Sequence, residues 1–364
     1  MSSPKRLKIF FLVPYPYDIA PGQRFRYEQY LSLLESTGSQ VKIFSFLSVR
    51  INSILYQEGK TLEKIWGVTV GFLKRFLILP LLVRGDFIFV FREVTPVGPP
   101  IIEWIIAKIL RKKIIYDFDD SIWLTDRHNE PAWFKILKWR TKVKSICKWS
   151  YKISCGNEYL CDYAKMFNQH VLLNPTTINV EKLHNPDTMQ KKRRDEVVIG
   201  WTGSHSTLKY LHEIESVLAR LEDQNPKLKI LIIADRPPLL SLKSMIFIPW
   251  NKKSEAQDLM QIDIGIMPLP NDEWAKGKCG FKALQYMALE IPVVCSKVGA
   301  NIKIIDHNMC GFLCSTTEEW SFYLQNLIDD ISLRAKFGKA GRKKVLENYS
   351  VTSNSSNFLS LFLP

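Results

Sequence analysis

Four short stretches combine residue types that handle anions or protons. The first is Lys276-Gly277-Lys278-Cys279-Gly280, set between an apolar run over 262–267, stopped by Pro268 and Pro270, and a segment with Phe281, Leu284, Met287 and Ala288 at three-to-four spacing. A second short apolar run, 291–294, follows. Strand, glycine-lysine loop, helix and strand make a βαβ unit, which sets loop amides and a helix N-terminus at the carboxyl edge of a parallel sheet. Lys278 and Lys282 add full positive charges there, and a diphosphate fits that combination; the plainer reading is a surface loop with solvated lysines. The second stretch is Asp117-Phe118-Asp119-Asp120, closing an apolar run that begins at Ile114. Strand alternation puts Asp117 and Asp119 on one face and Asp120 on the other. Carboxylates so close raise one another's pKa unless paired. A loop cap by Asp120 or Ser121, or a Mg²⁺ site, would each explain the cluster. The third is Gly22-Gln23-Arg24-Phe25-Arg26 at an expected helix start, a phosphate contact or an ordinary cap with solvated arginines. The fourth is the small-residue stretch from Gly200 to Thr207, with Gly203 and Ser204 at its centre and His205 and Lys209 as the nearby cations. It is a second candidate diphosphate cradle, and a structural His205 explains that residue equally well.

The elements that must position these residues alternate along the whole chain. Strands are expected at 9–13, 41–46, 86–91, 114–120 and 151–154, with helices at 22–34 and 52–82, one started by Pro99-Pro100 and closed by Lys108, Arg111, Lys112 and Lys113, and another starting at 156. A basic segment with Trp133, Trp139 and Trp149 reads as one helix over 132–149. Residues 172–179 read as an interdomain crossing and the charged stretch 185–196 as a linker. The alternation then restarts with strands at 197–199, 228–233 and 245–249, a helix at 208–221, and closing helices at 318–330 and 333–348. The pattern is that of an α/β protein with two Rossmann-like domains, expected over 1–180 and 181–345, followed by a tail over 346–364.

Bulk properties narrow the classes. The 364 residues, 46% apolar and 12% aromatic, suffice for two domains with real cores. Seven cysteines contain no CxxC pair, and Cys310 and Cys314 lack histidine partners, so no zinc site is expected and a reducing cytosol fits. The N-terminal apolar run is too short for a signal peptide. The longest apolar stretch, 76–83, is broken by Pro80 and flanked by Lys74, Arg75 and Arg84, so no membrane span is expected. The net charge is +14, and residues 1–180 hold 26 Lys and Arg against 15 Asp and Glu. That excess favours anionic partners. The 132–149 segment suits core packing with a solvated face, or contact with an anionic membrane surface through its tryptophans and lysines. A nucleic-acid-binding protein is a further class, but no RRM, KH or helix-turn-helix pattern accompanies the charge.

Residues 263–296 resemble the nucleotide-sugar-binding segment of retaining glycosyltransferases of the GT-B type, in particular family 4. The matching words are Gln285-Tyr286-Met287-Ala288, Pro292-Val293-Val294 and Val298-Gly299-Ala300-Asn301; the 308–312 word, NMCGF, is similar to the family's NGF turn. YDFDDSIW and GNEYL resemble words of a family 4 subgroup. The resemblance implies two Rossmann-like domains facing a cleft, with the C-terminal helix crossing back. It implies transfer of a sugar from a nucleotide-diphosphate sugar to a hydroxyl of a glycan or lipid-linked acceptor, with retention and without metal. Gly203, Ser204, Lys209, Lys278 and Lys282 would then hold the diphosphate, with Gly22 and Arg24 beside it, Trp250 near the base and Gln285 near the ribose. Asp119 falls where the family carries a histidine facing the acceptor, so Asp119 and Asp120 become acceptor contacts or a base. Gln285 replaces the family's ribose-holding glutamate, Gly277 replaces the first glutamate of its E-x7-E pair, and Glu290 stands where a helix-ending glycine is usual. A GT-B protein that binds a nucleotide sugar without catalysis is the alternative. The enzyme is expected in the cytoplasm or peripheral on the inner membrane face, with no nucleic-acid partner.

Overall fold

The apolar runs of the first half become strands buried on both faces, as the continuous, rather than alternating, hydrophobicity of parallel strands requires. They are β1 (Lys8–Val13), β2 (Gln40–Ser45), β3 (Phe87–Phe91), β4 (Lys113–Phe118), β5 (Lys152–Cys155) and β6 (Val171–Leu173). All pair in parallel, in the order β2-β1-β3-β4-β5-β6. The second half repeats the plan with β7 (Val197–Gly203), β8 (Leu228–Ala234), β9 (Met245–Pro249), β10 (Ile264–Met267), β11 (Val293–Ser296) and β12 (Gly311–Cys314), in the order β12-β11-β10-β7-β8-β9. The computed structural model describes residues 6–55, 57–126, 130–190 and 195–363. It divides into unit 1, Met1–Thr176 with Asn354–Pro364, and unit 2, Thr177–Ser353.

These limits differ from the expected 180 and 346. Ile178 donates to the carbonyl of Tyr349 and accepts from Val351, so the two connecting segments zip together and belong to unit 2. The long helix Ile331–Asn348 therefore stays in unit 2, and the return is made by a short helix, Ser355–Ser360. The expected linker lies inside unit 2 and holds a 3-10 turn, Pro186–Thr188; its residues 191–194 lie outside the described residues.

Side-chain pull breaks several expected helices. The 22–34 helix is three pieces, Pro21–Arg24, Glu28–Tyr30 and Leu31–Ser36. Gln23 turns its amide back to accept from the Tyr15 N–H (2.9 Å) and donate to Glu28 (3.1 Å), while Arg26 reaches into the core to Asp117. The 132–149 helix splits into Ala132–Lys138 and Lys142–Trp149 at Trp139, whose φ is 51°. Lys138 and Lys142 turn inward there to share Glu93. The 52–82 helix is Val49–Ile54 and then Thr61–Leu82. The latter, 22 residues with a mean hydropathy of 1.6 in its best window, is long and apolar enough to cross a membrane by length and composition alone. Proline at position 80 lies inside this helix, two residues before its end, and does not stop it.

Candidate functional site

In unit 1 the strand register lines up the candidate residues at one sheet edge. Phe91 pairs with Asp117 and Phe118 with Cys155, so Arg92 and Asp119 emerge side by side from the carboxyl ends of β3 and β4. β4 ends at Phe118, two residues earlier than expected, and this redistributes the three carboxylates. Asp117 stays inside, 1% exposed, bound by Arg26 and by the Ser154 hydroxyl. Asn174 donates to Ser154 (3.1 Å) and accepts from Arg26 through its carbonyl, completing a buried network. Burial pushes the Asp117 carboxyl above its ordinary value, with Arg26 and Ser154 pulling it back. Its place is structural.

Asp119 and Asp120 fall outside the strand and both pair with Arg92. Arg92 Nε donates to Asp119 Oδ1 and Arg92 Nη2 to Asp120 Oδ2, both at 2.7 Å. Arg92 is in the left-handed region, φ 59°, held by its N–H on the Asp117 carbonyl (2.7 Å) and by the Tyr116 hydroxyl on its own carbonyl (2.8 Å). A non-glycine residue there costs on the order of 1 kcal/mol, and the two ion pairs offset it. Burial alone would lower the guanidinium's pKa; the two carboxylates override that and hold it well above its ordinary value. Gly22 lies against the same group, with Arg92 Nη2 and Asp119 Oδ2 each 3.4 Å from where a side chain would begin. Arg24, by contrast, is 7% exposed, 3.8 Å from Asp18 and stacked on Phe25. The carboxylates thus meet a guanidinium. Among the described residues, no three His, Cys, Asp or Glu side chains are grouped to hold a metal ion.

In unit 2 the same edge carries Gly203, Ala234 and Pro249 in register across β7, β8 and β9, with the Trp250 N–H donating to the Ala234 carbonyl (2.8 Å). β7 runs four residues beyond its expected end, so Gly200 to Gly203 is strand rather than loop. Glycine is required at 203: a Cβ would stand 2.4 Å from Trp201 Cη2 and 2.8 Å from Thr207 Oγ1. Lys282, in the first turn of helix Phe281–Ala288, holds its ammonium 5.2 Å from the Trp201 ring centre. Trp201 therefore joins Gly203 to Lys282. Lys278 lies over Trp274 (4.9 Å) and Lys209 over Tyr210 (5.4 Å). Ser204 bonds Ser206 at 2.9 Å.

Two expectations meet competing contacts. The helix after Ser204 starts as a 3-10 helix, His205–Ile214, and its first N–H, that of His205, is taken by the Asp235 carboxylate (2.5 Å), which also bonds the His205 ring (2.6 Å). The Asp235 carboxylate thus engages both the backbone and the ring of His205. Gln285 is 2% exposed; its amide donates to Glu255 (3.3 Å) and lies 3.2 Å from His184 Nε2. Glu290 does close the helix in the left-handed region, φ 58°. Arg92 is missing from the sequence-based candidates, although the register of two edge runs, FVFRE and DFDD, carries the signal for it.

Residues 187–344 match the family "Glycosyl transferases group 1". The matched glycosyl transferase segment lies wholly within unit 2 and contains Gly203, Trp250, Lys278, Lys282 and Gln285. The human alpha-1,3/1,6-mannosyltransferase ALG2 is 35% identical over 72 residues, which cover 20% of this chain and 17% of that relative. Solved structures resemble the whole chain. A glycosyltransferase from Rickettsia africae covers 98% of each chain at a TM-score of 0.70 and 14% identity. Sucrose-phosphate synthase from Thermosynechococcus elongatus covers 98% of each at 0.71 and 14%. Anabaena HepE, solved in complex with UDP-glucose, covers 98% of this chain and 100% of that one at 0.65 and 14%. These likenesses show the fold, the two-domain α/β architecture of GT-B proteins.

Proposed function

We propose that the protein transfers a sugar from a nucleotide-diphosphate sugar to an acceptor hydroxyl of a glycan or lipid-linked saccharide, with retention and without a metal ion. The observation that carries the reading is the glycosyl transferase match falling on the unit in which Gly203 and Lys282 each lie against Trp201, near the carboxyl edge of a parallel sheet. The diphosphate would lie against Gly203 and Ser204, with Lys278 and Lys282 neutralising the charge that grows as the sugar departs. Trp250, on the same edge, offers its indole to the base. In unit 1, Asp119 and Asp120 would accept the acceptor hydroxyl's proton in a hydrogen bond, their carboxylates oriented by Arg92. HepE binds UDP and glucose, which supports a UDP-sugar as the first donor to try.

A second reading, a nucleotide-sugar-binding GT-B protein without catalysis, is favoured by Gln285 standing for a glutamate and already engaged with Glu255 and His184. A thermal-shift series against UDP-, GDP- and ADP-sugars, with and without EDTA, tests the first step. Stabilisation by one base, unchanged by EDTA, is expected; no stabilisation by any of them refutes both readings. Donor hydrolysis or transfer by the purified chain separates the two, and a Gln285→Glu variant that gains transfer supports the second.

A further inference from the structure

The Thr61–Leu82 helix is packed the wrong way round for a soluble protein. Its buried stripe is Gly67, Gly71, Arg75 and Leu82, while Leu62, Ile65, Trp66, Leu73, Phe76 and Leu77 face outward, from 48% to 83% exposed. The glycines are what hold it down: a Cβ would stand 2.5 Å from Ile51 at position 67 and 2.6 Å from Phe46 at position 71. Arg75 fixes the rotation, donating to the carbonyls of Val94 (2.9 Å), Phe44 (2.9 Å) and Val13 (2.7 Å). A spanning orientation would tear this guanidinium from its three carbonyl partners and put it and Lys74 in hydrocarbon. The helix can lie on a membrane but not through it.

Two neighbours extend the apolar face. A groove of about 300 Å³ beside the helix is lined by Phe46, Ile51, Trp66 and Val70 together with Arg50 and Lys74. The Ala132–Lys138 helix buries none of its residues and exposes Trp133, Ile136 and Leu137. It is tied to the same segment as Arg75: Gly98 N–H donates to the Leu137 carbonyl (2.7 Å) and Lys138 to the Pro96 carbonyl (2.8 Å). Two outward apolar helices thus flank residues 94–98. The charges around the first are Lys60, Lys64, Lys74 and Arg84, with Glu63 paired to Arg50 (3.2 Å). Such a rim repels a second copy of itself and attracts anionic headgroups.

We propose that the Thr61–Leu82 helix seats unit 1 in the surface of an anionic lipid bilayer, its Leu62–Leu77 face in the acyl boundary and its lysines among the headgroups. This stands whether or not the glycosyl-transfer reading holds. The test is co-sedimentation of the full chain with phosphatidylcholine vesicles with and without phosphatidylglycerol. Binding is expected to the anionic vesicles and to fall with salt. Trp66→Ser with Leu77→Ser should weaken it about tenfold or more, and Lys74→Glu, which leaves the apolar face intact, about tenfold. Leu239→Ser, a 90%-exposed leucine of unit 2, should leave it unchanged. Circular-dichroism melts of each variant check the fold, and if the double variant melts early, Lys74→Glu alone decides. No binding to anionic vesicles, or binding that neither variant reduces, overturns the proposal. So does a dimer in solution that Trp66→Ser with Leu77→Ser dissociates, which would make the occupant a second copy.

Discussion

Replacing Asp117 by asparagine tests the claim that the innermost member of the acidic cluster is structural. Arg26 and Asp117 are each 1% exposed, and the guanidinium spends its donors on Asp117, Asn174 and Ser154. The amide would keep the shape but lose the charge and turn an NH₂ group toward a guanidinium. An uncompensated buried charge costs about 3–5 kcal/mol, a large share of the roughly 5–15 kcal/mol that holds a domain together. In urea, with a slope of about 1–3 kcal/mol per M, the unit 1 midpoint should fall by about 1 M or more. The assay is urea unfolding followed by tryptophan fluorescence, where Trp123, stacked on Tyr163, reports unit 1. Burial pushes the Asp117 pKa up despite its partner, so desolvation is only partly offset. Asp117→Leu combined with Arg26→Met should therefore recover most of the loss. A single Asp117→Asn variant within about 1 kcal/mol of the parent would refute the reasoning.

Three further outcomes follow from local geometry. Gly203→Ala drives a methyl into Trp201 and should destabilise unit 2 by about 1–3 kcal/mol, read as a lowered urea midpoint, while Ser204→Ala, on the exposed neighbour, should not. Lys282→Met should leave the melting temperature unchanged and weaken nucleotide-sugar binding about tenfold or more, measured by calorimetric titration. Burial alone would raise the Glu222 carboxyl; the N–H groups of Lys243 and Ser244 and the Ser244 hydroxyl hold it below its ordinary value instead. A depressed folded pKa gives stability that is present above the unfolded value and lost as pH falls through the folded one. Glu222→Gln should accordingly lower the melting temperature at neutral pH, and the difference from the parent should vanish in acid.

The strands were legible because parallel sheets demand unbroken apolar runs, and IFFLV, FIFVF and IGIM leave little else to be. The βαβ around Lys278 was legible for the same reason. Glycine misled where it served packing instead of turning. Gly200 looks like the start of a loop, yet it sits in β7 because Ile262 would be 2.2 Å from its Cβ. Gly67 and Gly71 look like weak points of a helix and are its seat. The remaining surprises come from long-range bonds that periodicity does not carry: Arg26 to Asp117, Arg75 to the carbonyls of Val13, Phe44 and Val94, Asp235 to the His205 turn. Arg92 belongs with them, since its partners lie a strand away and only the register reveals the pairing.

The last residues of the chain have a consequence for its birth. Phe358 stacks on Tyr30 with ring centres 4.3 Å apart, Phe362 packs edge-on against Phe87 at 5.8 Å, and Lys152 clamps the carbonyls of Ser360 and Leu363. The half of the molecule that leaves the ribosome first is thus missing part of its own interior until residues 358–363 are made, and must wait with a greasy trench open while unit 2 forms. Nascent chains stalled short of Phe358 should be the ones that chaperones hold.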